Sequence, residues 1–123
     1  MRSAIILTIL ISCAGCASLI KEKVTFESTG NAETQQVVEP IRISLDTGYR
    51  RDIGANSTWE LVGKVSNHKF KEGKVYKPVG DVLSIEGTQR YEAYLVVLEG
   101  KIIGFYLPAS SRFSPLKTQV SFP

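Results

Sequence analysis

Two runs of β-forming residues joined by a two-residue turn constrain this chain more than any other feature. Tyr91-Glu92-Ala93-Tyr94-Leu95-Val96-Val97-Leu98 leads into Glu99-Gly100 and then Lys101-Ile102-Ile103-Gly104-Phe105-Tyr106-Leu107. β-branched and aromatic residues on either side of a short polar turn with glycine predict a hairpin. Pro108 ends the second strand because it has no amide hydrogen to give to a ladder. Successive side chains of a strand point to opposite faces, so Tyr91, Ala93, Leu95 and Val97 share one face and Glu92, Tyr94, Val96 and Leu98 the other. A strand with one wet face should not carry Tyr, Val and Leu on it. Two arrangements satisfy this pattern. Either the hairpin is central in a small barrel or sandwich and covered on both sides, or its outer face meets a partner. The second arrangement draws a surface from Tyr94, Val96, Phe105 and Tyr106.

The rest of the chain after residue 37 also reads as β. Val37-Val38 and Ile41-Arg42-Ile43-Ser44-Leu45 alternate, interrupted by Pro40, which suggests an edge or a bulge. Asp46-Thr47-Gly48 signals a turn. Further strands are expected at Trp59–Val65, with Gly63 as a bend, at Lys74–Val79, at Val82–Ile85 and at Gln119–Phe122. Ser110 to Leu116 reads as a turn-rich tail with Phe113 and Leu116 available for packing. No convincing amphipathic helix, internal repeat or second domain is evident. The fold class is therefore all-β, a small barrel or sandwich.

The first residues have a different character. MRSAIILTILISCAGC places one positive charge at Arg2, an apolar run from Ala4 to Ile11, and small residues Ala14 and Gly15 before Cys16. A secretory signal needs a basic start, roughly 7–15 apolar residues and small residues before the cut. The run is far short of the ~20 apolar residues that span a bilayer. This segment resembles a bacterial lipoprotein signal peptide, in which the cysteine becomes the lipid-carrying first residue of the mature protein. Cys13, preceded by Leu10-Ile11-Ser12, is the alternative anchor, but a cut there leaves scarcely any room beyond the apolar run.

The resemblance implies residues 1–15 as signal peptide and a thioether-linked diacylglyceryl group on Cys16, with a third, amide-linked chain. Two or three acyl chains hold a protein at a membrane nearly permanently. Ala17 and Ser18 follow without an aspartate, which in lipoproteins of enteric-like bacteria implies an outer-membrane protein facing the periplasm. In a Gram-positive cell the same anchor implies the outside of the cytoplasmic membrane. Residues 16–36 are then the lipidated N-terminus and a flexible tether, since Glu27 to Gln36 is polar and small with no sustained period, with Val24-Thr25-Phe26 as the exception, a candidate short strand. Residues 37–123 form the small β domain.

Chemistry is sparse. A cut before Cys16 leaves no other cysteine, so neither a disulfide framework nor a cysteine metal site is available within one chain. The formal net charge of +3 is too mild to argue for nucleic acid. His68 lies in what reads as an exposed connection, and no nucleophile-elbow motif accompanies it. The acids Asp46, Asp52, Glu60, Glu72, Asp81, Glu86, Glu92 and Glu99 lack calcium-loop spacing. Catalytic, cofactor and metal sites are all expected to be absent. The basic stretch Lys64, His68, Lys69, Lys71, Lys74 and Lys77 can face anionic headgroups, dock an acidic partner or simply keep a loop solvated. Lys69, Lys71 and Lys74 thus join the four hairpin residues as the candidate partner surface. Small lipoproteins of secretion, conjugation and pilus systems share the layout of anchor, polar spacer and compact domain. Anchor and layout imply a non-enzymatic envelope lipoprotein that binds or scaffolds a protein partner. A ligand- or inhibitor-binding module at the envelope is the alternative.

Overall fold

The computed structural model describes residues 20–30, 33–45, 50–80, 82–86 and 90–122. Every regular element among them is a β-strand: β1 (Glu22–Lys23), β2 (Thr25–Ser28), β3 (Thr34–Val37), β4 (Ile41–Ser44), β5 (Arg50–Ile53), β6 (Ser57–Ser66), β7 (Gly73–Pro78), β8 (Ser84–Glu86), β9 (Arg90–Glu92), β10 (Tyr94–Leu98), β11 (Lys101–Leu107) and β12 (Arg112–Ser121). The main antiparallel sheet runs β1-β12-β11-β10-β7-β6-β2, with β3 also on β6, and curls into a nearly closed barrel. The hairpins β4-β5 and β8-β9 complete its wall, and Leu45 bridges β4 to Leu116 of β12.

The central hairpin forms where its composition demands. Leu98 pairs with Lys101 across a two-residue turn. Glu99 (φ 53°) and Gly100 (φ 78°) both adopt left-handed conformations there, as a type I′ turn requires. The first run is not one strand, however. Ala93 separates β9 from β10, and its amide donates to the carbonyl of Leu83 at 2.9 Å. Residues before it pair with β8, and those after it pair with β7 and β11. This change of partner, invisible in composition, divides the run.

Both faces of the hairpin are covered by the chain itself. The barrel interior holds Leu95, Val97, Ile102 and Phe105 with Trp59, Tyr76 and Ile85. The outer face carries a second cluster of Val65, Val75, Val96, Ile103, Tyr106 and Phe113, with Val24, Phe26 and Phe70 packed against it. Phe26 stacks on Tyr106 (ring centroids 4.8 Å apart), and Phe70 meets Phe113 edge-on at 5.2 Å. Burying a side chain of this size contributes about 1.5–3 kcal/mol, so the cover is a substantial part of the fold.

Part of that cover comes from the stretch expected as tether. Within 16–36, β1, β2 and most of β3 pair with β12 and β6, and the short strand expected at Val24-Thr25-Phe26 overlaps β2. The stretch is polar overall, but Glu22, Val24 and Phe26 fall on one face at every second residue and are the half-buried ones. Strand addition to β6 satisfies its backbone while two apolar side chains close the outer cluster. The tail likewise belongs to a strand. β12 opposes Gly104 with Pro115 and Ile102 with Val120, so it leaves β11 between these points, and there Leu116 reaches across to Leu45.

Close approach explains two glycines. A Cβ on Gly63 would lie 2.5 Å from Cζ of Phe26, and one on Gly104 would lie 2.5 Å from the carbonyl oxygen of Ser114 and 2.6 Å from the Phe113 ring. Gly104→Ala is therefore expected to destabilise the fold by about 1–3 kcal/mol, the usual range for overpacking. Chemical denaturation would show this as a lower midpoint at unchanged slope; an unchanged midpoint would contradict the packing described.

Candidate functional site

Three of the four hairpin side chains expected on a partner surface are covered by the chain itself. Val96, Phe105 and Tyr106 are buried, and Phe105 lies inside the barrel whereas Val96 and Tyr106 lie in the outer cluster. Tyr94 is half-buried, its ring 6.3 Å from that of Tyr106. The outer face is occupied by the N-terminal strands, which is why these side chains are not available as drawn.

The lysines are exposed, but acids from other parts of the fold stand among them. The Lys69 ammonium donates to Glu22 of β1 at 2.8 Å, and Lys64 pairs with Glu72 at 3.4 Å. Lys74 lines a depression together with Glu33, Glu72 and Glu99. Lys71 and His68 are exposed around the β6-β7 loop, where the Asn67 side-chain oxygen accepts from the amides of Lys69 and Phe70 and holds the turn. Cys16 and Cys13 lie outside the described residues. Among the described residues, no group of three His, Cys, Asp or Glu is placed to hold a metal ion.

A different surface emerges at one end of the barrel. Val38, Val79 and Val82 are 62%, 51% and 63% exposed, the most exposed large hydrophobic residues of those described. Val79 and Val82 are near neighbours in the chain, and Val38 comes from far upstream. The Asn56 amide donates to the Val38 carbonyl at 3.2 Å, and the Val79 amide donates to the Thr58 carbonyl at 3.0 Å. Asn56, Thr58, Val79 and Val82 line one cleft of about 350 Å³, with Trp59 and Arg51. The cleft is held rigid by polar contacts: the indole Nε1 of Trp59 donates to Ser57 Oγ at 3.0 Å, whose hydroxyl donates to the Gly54 carbonyl at 2.8 Å.

Sequence reading passed over these valines because each was taken into a strand. In the structure β3 ends at Val37, β7 ends at Pro78 and β8 begins at Ser84. Each valine therefore stands just beyond the element that would have buried it. The available signal was a lone valine beside turn residues, as in Val38-Glu39-Pro40, Pro78-Val79-Gly80 and Asp81-Val82.

The opposite pole of the electrostatics is quiet. Burial raises the Tyr76 phenol above its usual value, with the Glu33 carboxylate adding to the effect. Burial raises Tyr94 too, followed by Glu92 and Tyr106. The chain matches no protein-family model, no curated protein and no solved structure.

The two tyrosines predict a pH response. An unfolded tyrosine ionises near pH ~10, while these hold their protons to higher pH in the folded state. The folded state then binds more protons, so stability falls as pH rises above about 10. Tyr76→Phe is expected to flatten that loss, and denaturant midpoints measured on both sides of pH ~10 would reveal it. An identical slope in the variant would rule Tyr76 out as a source.

Proposed function

We propose that this chain is a lipid-anchored envelope protein whose β domain binds a protein partner at the valine-rimmed end of the barrel. The anchor half of the reading is supported by the signal-like segment ending at Cys16. The binding half is carried by one observation: Val79 and Val82, each more than half exposed, line one cleft with Trp59, and the equally exposed Val38 is held beside it by the hydrogen bond from the Asn56 amide. Single exposed apolar residues are ordinary, whereas a contiguous group rimmed by polar residues marks an interaction site.

A protein suits this surface better than a small molecule. Small-molecule sites bury most of the ligand's surface, whereas here the apolar groups stand on an open rim. The lipid on Cys16 fixes location, and β1–β3, packed on the barrel, leave only the residues between Cys16 and β1 as spacer. The domain therefore works close to the membrane, as a component that recruits or braces another protein there.

Two measurements test the two halves. Cys16→Ser is expected to abolish palmitate labelling and release the protein from membranes; full retention with label would make the anchor assignment wrong. A photo-crosslinking amino acid placed at Val38, Val79 or Val82 in cells should give one discrete protein adduct shared by the three positions. The same probe at exposed Lys117 should give none. Adducts at no valine position, or the same adducts at Lys117, would sink the docking site.

A further inference from the structure

We infer that the partner segment seated on this surface is acidic beside its apolar anchor, because the valine cleft shares Arg51 and Asp52 with a trough of arginines. This rests on the docking reading above and adds the chemistry of the partner. In the β4-β5 hairpin Ile41 pairs with Ile53 and Ile43 with Arg51, whereas Arg42 pairs with Asp52 and Ser44 with Arg50. Paired residues share a face, and the faces alternate. Ile43 and Ile53 are buried in the core, so Arg51 stands in the inward row of this hairpin. Its Nε is buried without a hydrogen-bond partner.

The outward row adds to that cation. A trough of about 360 Å³ is lined by Arg42, Arg50, Arg51 and Asp52. Arg51 and Asp52 also line the valine cleft, so the two depressions have these residues in common. The single carboxylate of the trough is already engaged, accepting from Arg42 Nε at 3.4 Å. Among the described residues, the outward row sets two guanidinium groups, Arg42 and Arg50, against the one carboxylate of Asp52, which leaves an excess of donors. Guanidinium forks match carboxylates in geometry and charge, and a buried donor without an acceptor is costly until one is supplied. A segment with an apolar side chain over Trp59 and neighbouring carboxylates along Arg50 and Arg42 complements both parts. A membrane headgroup would meet the arginines but leave the valine cleft empty.

The experiment uses the full chain purified from membranes in a nonionic detergent and two fluorescent synthetic peptides. One carries a leucine followed by three glutamates, the other a leucine followed by three lysines. Fluorescence polarisation at low salt should show the acidic peptide binding on the order of tenfold tighter, with the preference fading as salt is added. The double variant Arg42→Glu with Arg50→Glu should reverse the preference. Arg51 is left intact because it stands in the inward row, and the two substituted residues are exposed, so circular dichroism should be unchanged. Equal binding of the two peptides, or a preference untouched by the charge reversal, overturns the inference. If valine-site crosslinks persist under that outcome, docking stands and only the acidic chemistry fails. If instead the charge reversal weakens attachment to phosphatidylglycerol nanodiscs while neither peptide binds, the trough serves a membrane surface and the inference is likewise overturned.

Discussion

The rest of the structure depends on one demand: both faces of the β10-β11 hairpin must be kept from water. Leu95, Val97, Ile102 and Phe105 face inward and Val96, Ile103 and Tyr106 face outward. A curled antiparallel sheet serves the first set by closing around it. It cannot serve the second, because the convex side of a small barrel ordinarily meets solvent. The chain supplies that cover from its N-terminal strands, the β6-β7 loop and the start of β12, through Phe26, Phe70 and Phe113. Glycines at 63 and 104 let Phe26 and Phe113 lie flush on the sheet.

This arrangement redirects the question of function. A hairpin with a bare apolar outer face would be an obvious docking surface, but here that face is a second core. What stays open is the barrel end where strands stop one residue short of a valine. There the backbone hydrogen bonds from Asn56 and to Thr58 hold Val38 and Val79 in place without burying them. Apolar groups left in water favour association with a partner, since binding removes their surface from solvent.

Charge is distributed to the same effect. The lysine-rich stretch that dominates the sequence is interleaved with acids in space, through Glu22 on Lys69 and Glu72 on Lys64. Exposed pairs of this kind contribute about 0–1 kcal/mol each, so they matter less for stability than for cancelling the local field. The arginines of β4 and β5 are less evenly matched, and one of them is turned inward.

Much of the fold was legible in the residues alone. Strand-forming composition, turn glycines and the two-residue break at Glu99-Gly100 act locally, so β6, β7 and β11 stand close to where alternation and β-propensity place them. The alternation of β10 also established that two apolar faces existed, though not what covered the outer one. Val24-Thr25-Phe26 is legible as a short strand, but its place in the sheet is not, because Phe26 packs against Gly63 and Tyr106, distant in the chain. The valine cleft was unreadable for a related reason: whether an apolar residue is core or surface depends on whether its strand ends before or after it. By itself the sequence determined the class of fold and the signal-like start, because propensity, turn chemistry and a hydrophobic run are properties of neighbours along the chain. Only the tertiary structure decided which apolar residues stay open to water, because burial depends on which distant strands arrive to cover them.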